Sequence, residues 1–255
     1  MNLLNNSSQR GYNKSFFKRL TDSSRMSAEN IVPIVIDIFK PTSVVDIGCG
    51  TGPWLSVFEK HGCKIFGIDG DYVKKDMLCI SPDCFISGDL LKKIPIQEKF
   101  DLLISFEVAE HLLESRADSF VKELTELAPV VLFSAAIPFQ GGKSHVNEQW
   151  QDYWAKLFKV HGYSAFDVMR PKIWSNENVA SYYRSNMLVY CSESFVEHHP
   201  ELLQYQNNVK KEVSFNIVHP ELYLKKIRRR ENNKKWMIGL AVLSAVLLMT
   251  LACLL

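Results

Sequence analysis

Short apolar runs rich in Val, Ile and Phe recur at 44–47, 64–68, 84–86, 101–105, 130–134, 164–169 and 187–191, with longer mixed stretches between them. Each run has the length of a buried strand, and the intervals are long enough for helices, so the pattern predicts alternating strand and helix. Ahead of the first run, Ile31, Ile34, Val35 and Ile38 recur at spacings of three and four, with Ser27 before Ala28 and Glu29 and with Pro41 behind. That spacing predicts a helix over 24–40 ending at the proline. Strand-helix alternation marks a doubly wound α/β fold, here a seven-stranded, mostly parallel sheet whose ligands bind beyond the carboxyl ends of the strands. Residues 193–235 lose the alternation and read as a partly helical connector.

The last twenty residues, Trp236 to Leu255, carry no charge, and only Ser244 and Thr250 are clearly polar. As a helix at ~1.5 Å per residue they span ~30 Å, the thickness of a bilayer's hydrocarbon core. Residues 225–235 hold seven Lys or Arg and one Glu, a net +6, which leaves the other 244 residues at −4 against the whole chain's +2. Basic residues directly ahead of an apolar span place the preceding body in the cytoplasm, so a single-pass, tail-anchored membrane protein is expected. The N-terminus has no apolar run, which argues against a signal peptide. The mildly acidic body argues against a nucleic-acid partner, because phosphate binding uses a basic face.

With 47% hydrophobic and 23% charged residues, the composition excludes collagenous and largely disordered classes. Cys49, Cys63, Cys79, Cys84, Cys191 and Cys253 are scattered without a C-x-x-C pair, so neither a disulfide framework nor a zinc site is indicated. The chain divides into a polar N-terminal segment over 1–27, whose first fourteen residues are expected to be poorly ordered, a domain over 28–192, the connector over 193–235 and the apolar span over 236–255.

The sharpest motif is Val44-Val45-Asp46-Ile47-Gly48-Cys49-Gly50-Thr51-Gly52-Pro53-Trp54. A strand runs into alternating glycines, which permit a tight turn and let backbone N–H groups approach a ligand. Pro53 stands where the dinucleotide fingerprint would place its third glycine, and Asp46 would repel a pyrophosphate but suit a cationic ligand. Asp69 closes the second run, where a carboxylate can accept hydrogen bonds from both ribose hydroxyls, and Asp89 follows the third. The fourth strand, Phe100 to Phe106, ends where an adenine could be flanked.

These residues resemble the class I S-adenosylmethionine-dependent methyltransferases, over about residues 28–192. The resemblance implies a Rossmann-like methyltransferase with S-adenosyl-L-methionine as cofactor. It implies Asp46, Gly48, Gly50 and Gly52 around the methionine moiety, Asp69 on the ribose, and Asp89 with Leu90 on the adenine amino group. Cys49, Trp54, Gly70, Phe106 and Glu107, which flank these positions, complete the implied cofactor set.

Two stretches carry candidate chemistry beyond the cofactor. After the fifth strand, Gly141-Gly142-Lys143-Ser144-His145-Val146-Asn147-Glu148-Gln149-Trp150 combines mobile glycines with polar groups. His145 is the first choice as general base, with Glu148 and His111 as further catalytic residues; the competing reading is a His and Glu that only fix the loop. After the fourth strand, Glu107, Glu110 and His111 stand at i, i+3 and i+4 and would share one face of a helix, where, with His145, they could hold a divalent metal. This E-x-x-E-H pattern resembles small-RNA 2′-O-methyltransferases and ubiquinone-pathway O-methyltransferases; acidic residues in a first helical turn are also favoured by the helix dipole, and no resident metal is expected. Tyr182-Tyr183-Arg184-Ser185-Asn186 could line an acceptor pocket, and Arg25 and Ser27 could close over the cofactor. The run GGKSHVNEQW-x3-W-x-x-L-F is similar to methyltransferases of carbohydrate context. The reading is therefore a membrane-anchored methyltransferase acting on a small or lipid-linked acceptor such as a glycan hydroxyl, with a metal-assisted RNA 2′-O-methyltransferase and a non-catalytic nucleoside-binding module as rivals.

Overall fold

A computed structural model describes residues 14–205, 214–232, 234 and 237. It divides into two compact units, Met1–Ile217 and Val218–Leu255. The N-terminal residues expected to be poorly ordered, up to residue 13, lie outside the described residues. So does the apolar span 236–255 apart from Met237. No helix among the described residues is long and apolar enough to cross a membrane.

The first unit opens with α1 (Lys14–Phe39), which starts ten residues before the expected boundary. Its apolar stripe buries Ala28, Ile31, Val32 and Val35, and the helix continues through Pro33. Seven strands follow: β1 (Ser43–Ile47), β2 (Lys64–Asp69), β3 (Phe85–Ser87), β4 (Leu102–Phe106), β5 (Val130–Ser134), β6 (Tyr163–Phe166) and β7 (Leu188–Ser192). All seven coincide with the apolar runs to within three residues at either end. They form one sheet in the order β3-β2-β1-β4-β5-β7-β6. β1 pairs in parallel with β2 and β4, while β7 runs antiparallel between β5 and β6.

Alternate side chains of the central strands point to opposite faces, and each face has its own core. Val44, Leu102 and Ile104 join α1 and α2 (Pro53–Lys60) on one side. Val45, Leu103 and Val131 join α3 (Glu114–Leu127) and α4 (Gln151–Val160) on the other. On α3, Ala117, Phe120, Val121, Leu124 and Leu127 lie on one face at helical spacing. Burying each large side chain contributes about 1.5–3 kcal/mol. Strands covered on both sides need no polar face, which is why β1, β4 and β5 read as continuous apolar runs.

The return from β6 to β7 passes through α5 (Arg170–Ile173) and α6 (Ser181–Asn186). Because β6 runs parallel to β5 and β7 against it, this excursion lies at the carboxyl ends of the central strands. Buried Arg170 anchors it, with two bonds to Asp167 and one each to the carbonyls of Ser185 and Phe215. The compact unit also continues past residue 192, through α7 (Glu193–His198) and a helical turn at Pro200–Tyr205, so the expected connector is partly body. The second unit carries a helix over 220–232 that exposes Lys225, Lys226 and Arg228 to Arg230.

Candidate active site

The chain leaves β1 through Gly48, Cys49, Gly50 and Thr51 and enters α2 at Pro53. Gly48 has φ +90° and Gly50 φ +54°. A Cβ on Gly48 would overlap the methyl groups of Val108, whereas one on Gly50 would meet nothing within 4 Å. The first glycine is demanded by packing, and the second leaves open space above the loop. Gly48 and Cys49 donate to the Ile68 carbonyl at 2.8 and 3.1 Å, which ties the loop to β2. Asp46 is buried, and among the described residues no Lys or Arg pairs with it. Burial, and then the charge of Asp69, push its carboxyl well above the usual range. A cationic group over the loop would return Asp46 to its ionised form, and the amino-acid end of the implied cofactor is such a group. The Cys49 thiol is pushed up by burial and by both aspartates, which keeps it unreactive. Trp54 packs against Phe106 at 4.6 Å and Tyr183 at 5.2 Å between ring centres, so these residues join α2, β4 and α6 in one buried aromatic cluster.

Asp69 at the end of β2 is already at work on the protein itself. Its Oδ2 accepts from Gly50 N at 2.6 Å, and its Oδ1 accepts from Gly70 N at 2.6 Å and from the Tyr72 hydroxyl. These bonds oppose the upward shift that burial imposes on its pKa. A carboxylate offers about four lone-pair positions, so a ribose hydroxyl can still be accommodated on Oδ2. Tyr72 was not foreseen; the available signal was an aromatic three residues after the acid that closes the strand. Asp89 lies two residues beyond β3, half exposed. Its carboxylate accepts from Leu91 N at 3.0 Å and faces Lys92 at 3.7 Å, while the Leu90 carbonyl accepts from Arg116.

The expected helix face after β4 does not form. Glu107 takes a left-handed backbone at φ +56°, Ala109–His111 is a single 3₁₀ turn, and α3 begins only at Glu114. The kink separates Glu107 from its sequence partners. Its carboxylate accepts from Gln140 Nε2 at 2.8 Å and Asn186 Nδ2 at 3.4 Å. Glu110, His111 and His145 do come together, each offering a ligand atom within 4.8 Å of the others. The four-residue metal set expected from sequence is therefore corrected to three, without Glu107.

Glu110 is fully buried, and neither carboxylate oxygen has a hydrogen-bond partner. Burial, then the charge of Glu107, hold its pKa well above the usual value, and the nearby amides of Glu110 and Ala136 offset this only in part. His145 Nδ1 faces Glu148 Oε1 at 2.9 Å, leaving Nε2 directed toward Glu110 at 3.9 Å. Glu148 also accepts from Phe139 N and Gly141 N at 2.8 and 2.7 Å, so one carboxylate shapes the loop and orients the imidazole. His111 stands edge-on to His145 at 4.8 Å between ring centres; the residue is exposed, yet the protein packed around it lowers its pKa, with His145 adding to the effect. On α1, Ser27 accepts from Ala180 N, and Thr21 meets Thr51 of the glycine loop at 2.8 Å.

The strand order, with a glycine loop at the end of β1 and an acid at the end of β2, defines a Rossmann-like class I methyltransferase fold. Residues 17–168 match the family model described as a methyltransferase domain, and the chain belongs to that family of S-adenosylmethionine-dependent enzymes. No curated protein sequence matches it. Among solved structures, its fold is similar to human N-acetylserotonin methyltransferase in complex with SAM, at 16% identity and TM-score 0.50 over 69% of this chain. The chain covers 55% of that enzyme's length. It is similar to magnesium protoporphyrin IX methyltransferase from Synechocystis PCC 6803 with bound SAH, at 17% identity and TM-score 0.51, covering 72% of this chain and 91% of that one. A complex of the Haloferax volcanii Trm112 activator with a methyltransferase matches at 16% identity and TM-score 0.52, covering 70% of this chain and 94% of that one.

Proposed function

We propose that this methyltransferase O-methylates a hydroxyl on a small or lipid-linked acceptor, with His145 as general base. When bound, S-adenosylmethionine supplies an electrophilic methyl group on a sulfonium. The loop residues Asp46, Gly48, Cys49, Gly50 and Gly52, with Trp54 and Phe106 behind them, hold its methionine end. Asp69 and Gly70 hold the ribose, and Asp89 and Leu90 the adenine. In the transfer the acceptor oxygen would take the methyl group as the carbon–sulfur bond gives its electron pair to sulfur, and this chain's part would be at Nε2 of His145, which would accept the hydroxyl proton. The observation that carries this reading is the Glu148–His145 pair. The Glu148 carboxylate accepts a hydrogen bond from Nδ1–H of His145, a tautomer that leaves the Nε2 lone pair free as a base. The test is His145→Ala in the full chain. Turnover should fall by about 10²–10⁴ with S-adenosylmethionine affinity unchanged. Unchanged turnover would remove His145 from the chemistry, and a chain that binds the cofactor but transfers nothing to any hydroxyl would be the non-catalytic module.

The apolar segment 236–255, preceded by the +6 cluster, is proposed to hold the domain at the cytoplasmic face of a membrane, which suits a lipid-borne acceptor.

A second reading is favoured by the unpartnered carboxylate of Glu110. Glu110, His111 and His145 offer an oxygen and two imidazole nitrogens, a set suited to a divalent transition metal or zinc, with Glu148 as the outer carboxylate orienting His145. Such an ion would polarise the acceptor oxygen and replace the base. Titration of the full chain with Zn²⁺, Co²⁺ and Mg²⁺ distinguishes the two: stoichiometric binding abolished by Glu110→Gln, together with activity lost in chelator, selects the metal. An RNA acceptor would further require a basic face, and the body carries −4 outside residues 225–235.

A further inference from the structure

Gln140, on the loop after β5, belongs to no site considered so far, yet it organises a directional network. The backbone N–H of Ile137 donates to Gln140 Oε1 at 3.3 Å, and Asn186 Nδ2 donates to the same oxygen at 2.9 Å. Gln140 Nε2 and Asn186 Nδ2 both donate to the carboxylate of Glu107. These contacts settle both amide orientations. Turning Gln140 over would set its NH₂ against two donors, and turning Asn186 over would set its oxygen against two acceptors.

The consequence is an imbalance. Both Asn186 N–H groups are spent inside the network, while its Oδ1 is buried and has no partner. Glu107 keeps spare lone pairs on both oxygens. Ser134, at the end of β5, is buried beside Glu107 and helps to hold its carboxylate ionised. A buried acceptor left empty is destabilising, so the cluster calls for a ligand that brings donors.

Three independent parts of the chain build this cluster: the end of β4, the loop after β5 and the end of α6. It stands on the β5 side of β4, whereas the glycine loop, Asp69 and Asp89 follow β1, β2 and β3 on the other side. Its surroundings are acidic: among the described residues, no Lys or Arg forms an ion pair with Glu107, Glu110 or Glu148. A phosphate or carboxylate brought here would face uncompensated like charge. An amine would satisfy the acceptors, but a neutral amine nucleophile needs no base, and the His145–Glu148 pair supplies one.

Resting on the proposed hydroxyl methylation, we propose that Glu107 and Asn186 form the acceptor-binding subsite and that it takes a neutral, polyhydroxylated group. Neighbouring hydroxyls of the acceptor donate to the Glu107 carboxylate and to Asn186 Oδ1, and Gln140 is the positioning residue that aims Glu107. This assignment replaces the cofactor role that the resemblance implied for Glu107: the backbone kink gives its carboxylate to the acceptor side and leaves Phe106 to the cofactor.

The experiment measures S-adenosylhomocysteine release by the full chain with neutral methyl hexosides, the matching uronic acids and the matching hexose phosphates. Turnover is expected on a neutral hexoside, at a kcat/KM at least about tenfold above its anionic counterparts. Glu107→Gln and Asn186→Leu should each lower that kcat/KM by about 10- to 100-fold, the loss of a hydrogen bond to a charged or buried group. S-adenosylmethionine affinity should stay within about twofold of the parent chain, as expected for residues off the cofactor side. Gln140→Met, a change at a half-exposed loop position, should act chiefly on KM; an equal fall in cofactor affinity would mean that it only props up the fold. Equal or better use of the anionic acceptors overturns the subsite. So does the absence of turnover on every neutral hexoside by a chain that binds the cofactor. Failure to bind the cofactor strikes at the proposed function instead.

Discussion

Two glycines of one loop should fail for different reasons. Alanine at a positive-φ position costs about 1–2 kcal/mol from backbone strain alone. At Gly48 the new Cβ also overlaps Val108, which adds about 1–3 kcal/mol of overpacking. Gly48→Ala should therefore lose about 2–5 kcal/mol of stability. At a slope near 2–3 kcal/mol per molar, that lowers the urea midpoint by roughly 1–2 M. Gly50→Ala meets no atom within 4 Å and should lose only the strain term, about 1–2 kcal/mol. Its Cβ instead enters the space above the loop, so S-adenosylmethionine affinity should fall at least about tenfold, or 1.4 kcal/mol. Urea unfolding followed by tryptophan fluorescence gives the first quantity and titration calorimetry the second. A double-mutant cycle isolates the overlap: adding Val108→Ala should return about 1–3 kcal/mol to Gly48→Ala. The reasoning is refuted if the coupling is under about 0.5 kcal/mol, or if Gly50→Ala unfolds as easily as Gly48→Ala while binding the cofactor normally.

The remaining predictions concern Asp69, Glu110 and the apolar segment. Asp69→Asn weakens the acceptor of Gly50 N–H and removes the charge, so cofactor affinity should drop by at least about 10- to 100-fold in calorimetry; parent-like binding would exclude Asp69 from the cofactor site. Glu110 has a pKa raised above its ordinary 4.5, so the folded state holds its proton more tightly than the unfolded one, and stability falls as pH rises through that window. Glu110→Gln removes the penalty: its melting temperature, measured without added metal, should exceed the parent's at pH 8 and converge with it toward pH 4.5, whereas a gap that widens on acidification would contradict the sign. The full chain should stay with membranes through alkaline carbonate extraction, and a chain ending at Lys235 should not; extraction of both would end the proposal of a span.

The seven strands and the glycine loop were legible in the sequence because their signals are local. A strand buried on both faces must be apolar along its length, and a loop that turns within three residues must use glycine. The acids at the ends of β1 and β2 were legible for the same reason, since their distance from the loop is a distance along the chain. The helix face after β4 was misread because i, i+3, i+4 spacing brings Glu107, Glu110 and His111 together only if the backbone is helical. The left-handed turn at Glu107 sends its carboxylate elsewhere. No local pattern announces that turn, because it follows from where Ser134, Gln140 and Asn186 stand once β5 and α6 have packed.

What the sequence by itself determined is therefore the strand content, the position of the glycine loop and the inventory of polar groups near the carboxyl ends. Only the tertiary structure decided which of those groups share a site. It joined Gln140 and Asn186, 46 positions apart, to Glu107, placed His145 beside a Glu110 with no partner, and closed Tyr72 over Asp69. The physical reason is that hydrophobic periodicity acts between neighbours on the chain, whereas the pairing of buried polar groups is settled by packing, after the sheet has brought distant loops to the same edge.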